Sequence, residues 1–197
     1  MTTQDLLFPT ETNAEAEGVR APALALASGS PPLLRYTEDD SERANELWKA
    51  TCGPHSIAAA CGKTLDEVRR AICDADVNYR GWMSPTQVMK TLDALGQKYT
   101  LTHKLKTPDL CDGINRLQWE GKWLNPGVPA RIAYFHTHLV AHFGGWVLCT
   151  ACLPATWIAV DEWRDFLRKT DQPFHVTHHW SLANIKVTDA PAAGRSV

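Results

Sequence analysis

Between Leu33 and Gly96 apolar positions recur every three or four residues, and after Gly96 the spacing falls toward two. That change divides the chain. In PLLRYTEDDSERANELWKA, Leu33, Leu34 and Tyr36 offer anchors, and Ala44, Leu47 and Trp48 lie at helical spacing. A short helix is predicted to run into WKATCGPHSIAAA, Trp48 to Ala60. There Thr51 stands at an N-cap position, Pro54 falls in the first turn where its missing N–H costs nothing, and Gly62 is placed to end the helix. Two capping boxes open further helices. Thr64-Leu65-Asp66-Glu67 precedes a stripe of Leu65, Val68 and Ile72; Ser84-Pro85-Thr86-Gln87 precedes Val88, Leu92 and Leu95, with Gly96 as the stop.

Beyond Gly96 the pattern predicts strands at YTLTHKL (Tyr99 to Leu105), ARIAYF (Ala130 to Phe135), HLVAHF (His138 to Phe143), WVLC (Trp146 to Cys149) and FHVTHHWSL (Phe174 to Leu182). A short helix near Asp161 to Arg168 interrupts them. Helices first and a mostly antiparallel sheet second make an α+β fold. Residues 1–32, rich in Thr, Ala, Glu, Gly, Ser and Pro without a sustained period, read as a flexible or extended arm. Residues 33–188 read as one domain and 189–197 as a flexible tail.

A chain of 197 residues with 44% hydrophobic positions has enough apolar surface for one sizeable core. Its formal charge of -2 gives no bulk reason to expect nucleic acid or an anionic membrane as partner. No apolar run approaches about 20 residues, so no membrane-crossing helix is expected. The stretch APALALASG (Ala21 to Gly29) follows acidic residues where a signal peptide needs basic ones, and reads as linker. Six cysteines are too sparse for a disulfide framework, which points to reduced thiols and a cytoplasmic location.

One of these cysteines carries candidate chemistry. Cys52 lies in the first turn of a helix, where unpaired N–H groups and the helix dipole stabilise a thiolate and can also receive an oxyanion. A cysteine there also serves as a small core hydrophobe. What favours the nucleophile is the placement of a base. Gly144-Gly145, between Phe143 and Trp146, suits a two-residue hairpin turn, which pairs Phe143 with Trp146, Val140 with Cys149 and His138 with Ala151. Cys149 then becomes the diagonal neighbour of His138 on one face.

TCGPHSIAAA followed by HTHLVAHFGGWVL resembles the papain-like cysteine peptidase superfamily, in particular compact members similar to bacteriocin-processing peptidases. The resemblance covers roughly Ala44 to Val160. It implies a helical lobe carrying Cys52 packed on an antiparallel sheet carrying His138, a peptide or protein substrate, and peptide, isopeptide or amide bonds as the target. In two places the chain departs from the pattern. Glu46 occupies the position of an oxyanion-stabilising glutamine six residues before the cysteine, with Asn45 beside it as the candidate donor. Cys149 occupies the position of the Asp or Asn that orients the histidine. This second departure sets up the alternative, a catalytically inactive papain-like binder of phage or mobile-element type that docks on a host protein.

Other clusters compete for attention. Cys149-x-x-Cys152 with His136-x-His138 has the spacing of a zinc clip, but strand alternation sends the two cysteines to opposite faces unless the strand ends between them. No metal and no cofactor are expected. Trp119 and Trp123 suit a cleft or ordinary packing, Gln118 is a candidate amide donor near the site, and His178-His179 reads as surface or sheet edge.

Overall fold

Serine and threonine side chains set the starts of the helical half. The computed structural model describes residues 29–153 and 155–183. Thr37 and Asp40 form a capping box that opens α1 (Glu38–Trp48), and Lys49 closes it in the left-handed region at φ 60. Thr64 with Glu67 opens α3 (Leu65–Asp74), and Ser84 with Gln87 opens α4 (Pro85–Ala94), both as expected. Between α1 and α3 lies α2 (Cys52–Cys61), ended by Gly62 at φ 58. From Gly53 to Ala60 every residue of α2 is buried, so this helix is enclosed on all sides beyond its first residue.

The strands are β1 (Tyr99–Thr107), β2 (Gly113–Trp119), β3 (Thr137–Phe143), β4 (Trp146–Leu148), β5 (Trp157–Ala159) and β6 (Phe174–Leu182). They form one antiparallel sheet in the order β1-β6-β2-β3-β4-β5. With α5 (Ala130–Tyr134) and α6 (Val160–Lys169), the described residues hold six α-helices and six strands, an α+β fold. Period-two alternation splits the core. Leu139, Ala141 and Phe143 pack with Ile57, Ala58, Val88 and Leu92 on the helical face. Val140, with Leu117, Val147, Cys149 and Val176, packs on Trp163 and Leu167 of α6. None of the described helices is long and apolar enough to cross a membrane.

The expected hairpin register holds next to the turn, while the expected pairs of Val140 with Cys149 and His138 with Ala151 do not form because β4 ends at Leu148. Phe143 pairs with Trp146 and Ala141 with Leu148, around Gly144 and Gly145 at φ 54 and 86. Four expectations need correction. ARIAYF is a helix, not a strand: Pro129 stands at its N-cap, the buried Gln118 Nε2 donates to Ala133 O at 3.1 Å, and Ile132, Tyr134 and Phe135 face outward rather than into a core. β2 has no counterpart in the sequence reading because its polar residues are buried. Asn115 caps Cys111 through both its amide atoms, at 3.2 and 2.8 Å, and Arg116 donates to Thr177. The strand WVLC stops at Leu148. His178 and His179 lie on β6, an interior strand, where His178 stacks on Trp180 and His179 lies 2.9 Å from Asp112 O. The expected arm, apart from residues 29–32, and the tail of residues 189–197 lie outside the described residues.

Candidate active site

The turn that delivers Cys52 is tied down on every side. Thr51 takes the extended N-cap conformation, yet its side chain does not cap α2; its hydroxyl donates instead to Gly81 O at 2.7 Å. Tyr79 Oη receives the Thr51 N–H at 3.1 Å and donates to Lys49 O at 2.8 Å. His55, buried one turn into the helix, holds Thr51 O at 2.7 Å through Nδ1 and Ser41 Oγ at 2.7 Å through Nε2. Facing a carbonyl, Nδ1 carries the proton, so Nε2 accepts from Ser41. Burial lowers the His55 pKa and keeps the ring neutral. With Thr51 otherwise engaged, no side chain caps the first N–H groups of α2, and the helix dipole is directed at Cys52.

His138 is the second residue of β3 and stands where the two halves of the core meet. On one side lies Cys52, packed against the helical cluster and lining the same cavity as His138 and Leu139. On the other, His138 Nε2 lies 3.4 Å from Cys149 Sγ, part of the cluster on α6. Cys149 Sγ in turn receives the Cys152 thiol at 3.6 Å. Trp163 packs in the same cluster, and its Nε1 is buried without a hydrogen-bond partner. Trp119 leans on the imidazole, with ring centroids 6.0 Å apart.

These contacts separate the charges. Burial alone would lower the His138 pKa, but the hydrogen bonds and charge of Cys149 and then Cys52 outweigh it and push it up to about 10. The bond from Cys152, helped by His138 and Trp163 and opposed by burial, brings the Cys149 thiol down to about 4. Cys152 is pushed up by the same bond and by burial, so it keeps its proton. For Cys52, burial works upward, while His138 and the Leu139 N–H more than reverse it. These shifts favour the charged forms of His138, Cys52 and Cys149, with Cys149 Sγ lying on Nε2 of the imidazole.

A cavity of about 280 Å³ opens onto Cys52 and His138, walled by Met83, Leu139 and Thr137 and rimmed by Trp82, Arg131, Tyr134 and Phe135. The rim is apolar and open to solvent, with Trp82 58% and Phe135 77% exposed. Gly53 makes room for the Met83 wall, since a Cβ there would stand 2.7 Å from Met83 Sδ. A larger groove of about 390 Å³, between Pro108 and α6, is lined by no cysteine, serine or histidine.

The structure therefore gathers Cys52, His138 and Cys149 at one point. Asn45 and Glu46 sit exposed on the last turns of α1, and neither lines the cavity. Gln118 spends its amide on Ala133 O and His136 O and cannot serve the site. His136 stacks on Trp123 at 3.7 Å, turned away from the cysteines. Among the described residues no group of three or more His, Cys, Asp or Glu is arranged to hold a metal ion. Sequence reasoning placed Cys152 only in a zinc clip and Trp119 only in a cleft or ordinary packing, and it missed the clamp of Tyr79 and His55 on Thr51, which has no local signal. No protein-family model, curated protein or solved structure matches this chain.

Proposed function

We propose that this chain is a papain-like cysteine hydrolase that cleaves peptide, isopeptide or amide bonds. One observation carries the reading: Cys52 at an uncapped helix start and His138 at the head of a strand converge in one open cavity, with Cys149 on Nε2 of the imidazole. The helical front half and the antiparallel sheet also agree with what CGPHSIAAA and HTHLVAHFGGWVL imply by resemblance.

In this mechanism the Cys52 thiolate attacks the substrate carbonyl, and the uncapped N–H groups at the start of α2 stabilise the oxyanion in place of the glutamine that Glu46 replaces. Asn45, exposed on α1, has no part in it. His138 gives its proton to the departing amine, leaving an acyl-thioester on Cys52. The neutral imidazole then takes a proton from water, which displaces the thiolate. Cys149 serves as the orienting anion, a role filled elsewhere by a carboxylate or amide.

The test is competitive alkylation of the full chain at pH 7 with iodoacetamide, read peptide by peptide. Cys52 should label faster than the exposed Cys73 and Cys111, and His138→Ala should remove that advantage. Incubation with a peptide library, read by mass spectrometry, should yield fragments that Cys52→Ala does not produce. Equal, slow labelling of all six cysteines would overturn the hydrolase. The exposed aromatic rim of Trp82, Tyr134 and Phe135 favours, as a second reading, an inert domain that docks on a protein partner, and that labelling pattern is its signature.

A further inference from the structure

Behind His138 lies a second thiol pair. β4 ends at Leu148, and the chain then turns so that the N–H groups of Cys152 and Leu153 both donate to Cys149 O, at 3.0 and 3.1 Å. This folds Cys152 over Cys149 and brings their sulfurs to 3.6 Å. A turn of this kind keeps the two Cα atoms within about 7 Å, inside the reach of a disulfide, whose sulfurs lie about 2.05 Å apart. Access to the two sulfurs differs. Cys149 is fully buried against the imidazole, whereas Cys152 is partly exposed at the turn.

We propose that Cys149 and Cys152 are a redox-active dithiol, closed by low-molecular-weight disulfides, and that closure withdraws Cys149 from His138 and slows Cys52. Its second half rests on reading Cys52 and His138 as the reactive pair. Cys152 passes its proton to the Cys149 sulfur it already donates to, and its partly exposed sulfur attacks one sulfur of the small disulfide; a mixed disulfide forms and one thiolate departs. Cys149 then attacks the Cys152 sulfur, the intramolecular bond forms and the second thiol departs. The proton now on Cys149 leaves on the second expelled thiol, the first takes its proton from water, and the small disulfide has taken up the two electrons.

The consequence for Cys52 follows from which groups touch. Cys149 contacts the imidazole directly and Cys52 only through it, so its negative charge favours the imidazolium more than it repels the Cys52 thiolate. A disulfide sulfur is uncharged and a weak acceptor. The buried indole of Trp163 in the same cluster is a donor and cannot replace it as an acceptor.

The experiment uses the reduced full-length chain with oxidised glutathione as the probe, followed by peptide mapping and timed iodoacetamide labelling of Cys52 at pH 7. The expected products are a Cys149–Cys152 disulfide and a Cys52 rate lowered about tenfold, the equivalent of one pH unit in the stability of the ion pair. Dithiothreitol should restore that rate, and Cys152→Ser should remain unresponsive. Glutathione left on Cys152 without closure would overturn the proposal, as would glutathione on Cys52 with the pair still reduced. A closed pair with an unchanged Cys52 rate would do the same. No readout uses a peptide substrate, so a chain that closes and slows Cys52 yet cleaves nothing overturns the hydrolase and leaves the dithiol standing.

Discussion

Replacing Cys149 with alanine tests whether the sulfur behind the imidazole sets the charge of the site. The side chain is wholly buried, so loss of one heavy atom from the α6 cluster should cost about 1 to 2 kcal/mol, and the domain should still fold. The electrostatic effect is larger. His138 is lifted from 6.5 to about 10 against its burial, and Cys149 stands first among the groups that lift it. If Cys149 supplies roughly half of that rise, its removal lowers the His138 midpoint by roughly two pH units, on the order of 2 to 3 kcal/mol less support for the imidazolium. Titration of the His138 ring protons by NMR should move from near 10 to near 8, with Cys52 alkylation changed most between those two pH values, where the variant loses the imidazolium and the parent keeps it. Cys149→Asp restores an anion at the same place and should restore both signals, at a cost in stability when the carboxylate lacks its imidazolium partner. A variant with an intact melting transition and an unmoved His138 midpoint would refute the assignment of Cys149 as the orienting anion.

The same two pKa values shape stability against pH. The His138 share is complete below pH 6.5 and lost as pH rises through about 10, while the Cys149 share is complete above 9.0 and lost as pH falls through about 4; the opposing slopes cancel between 6.5 and 9.0. The melting temperature should therefore plateau across that interval and fall on both sides, and in Cys149→Ala both flanks should flatten. Gly53→Ala would ordinarily stabilise a helix by about 1 kcal/mol, but the contact with Met83 should turn it into a loss of about 1 to 3 kcal/mol by denaturant titration, with Cys52 labelling altered as the cavity wall shifts. His55→Phe strips partners from Ser41 Oγ and Thr51 O in a buried position and should cost about 2 to 4 kcal/mol, seen as a lower melting temperature. Gln118→Leu frees the carbonyls that hold α5, so proteolysis should open at Arg131 and peptide binding weaken, while Cys52 alkylation by a small reagent stays unchanged.

Features encoded by near neighbours were legible in the sequence. The boxes at Thr64 and Ser84 need only residues three apart, and Gly144-Gly145 sets its hairpin through its own backbone. From that register the position of Cys149 beside His138 followed, because alternation carries information along a strand. Alternation also misled: it placed Cys152 on the opposite face, and only the end of β4 at Leu148 brings the two sulfurs together. β2 was hidden since Asn115, Arg116 and Gln118 find their partners in distant loops, which no local pattern records. ARIAYF had the spacing of a strand, while the groups that hold it as a helix sit on β2. The place of Asn45 depended on where α1 ends relative to Cys52, and the left-handed turn at Lys49 leaves it on the outside.

The strand order also governs how the chain comes together in time. β2, β3, β4 and β5 pair with their neighbours in sequence, but β6, the last described strand to leave the ribosome, inserts between β1 and β2. Tyr99 waits for Leu182, and until then β1 has no hydrogen-bonding neighbour while one flank of β2 lies open. Closing so long a loop is slow, and an open interior edge can pair with another nascent chain. A truncation before Phe174 would make that vulnerability permanent. Cys52, His138 and Cys149 are all synthesised before the strand that completes the sheet, so the thiol cluster is made while its scaffold is still unfinished.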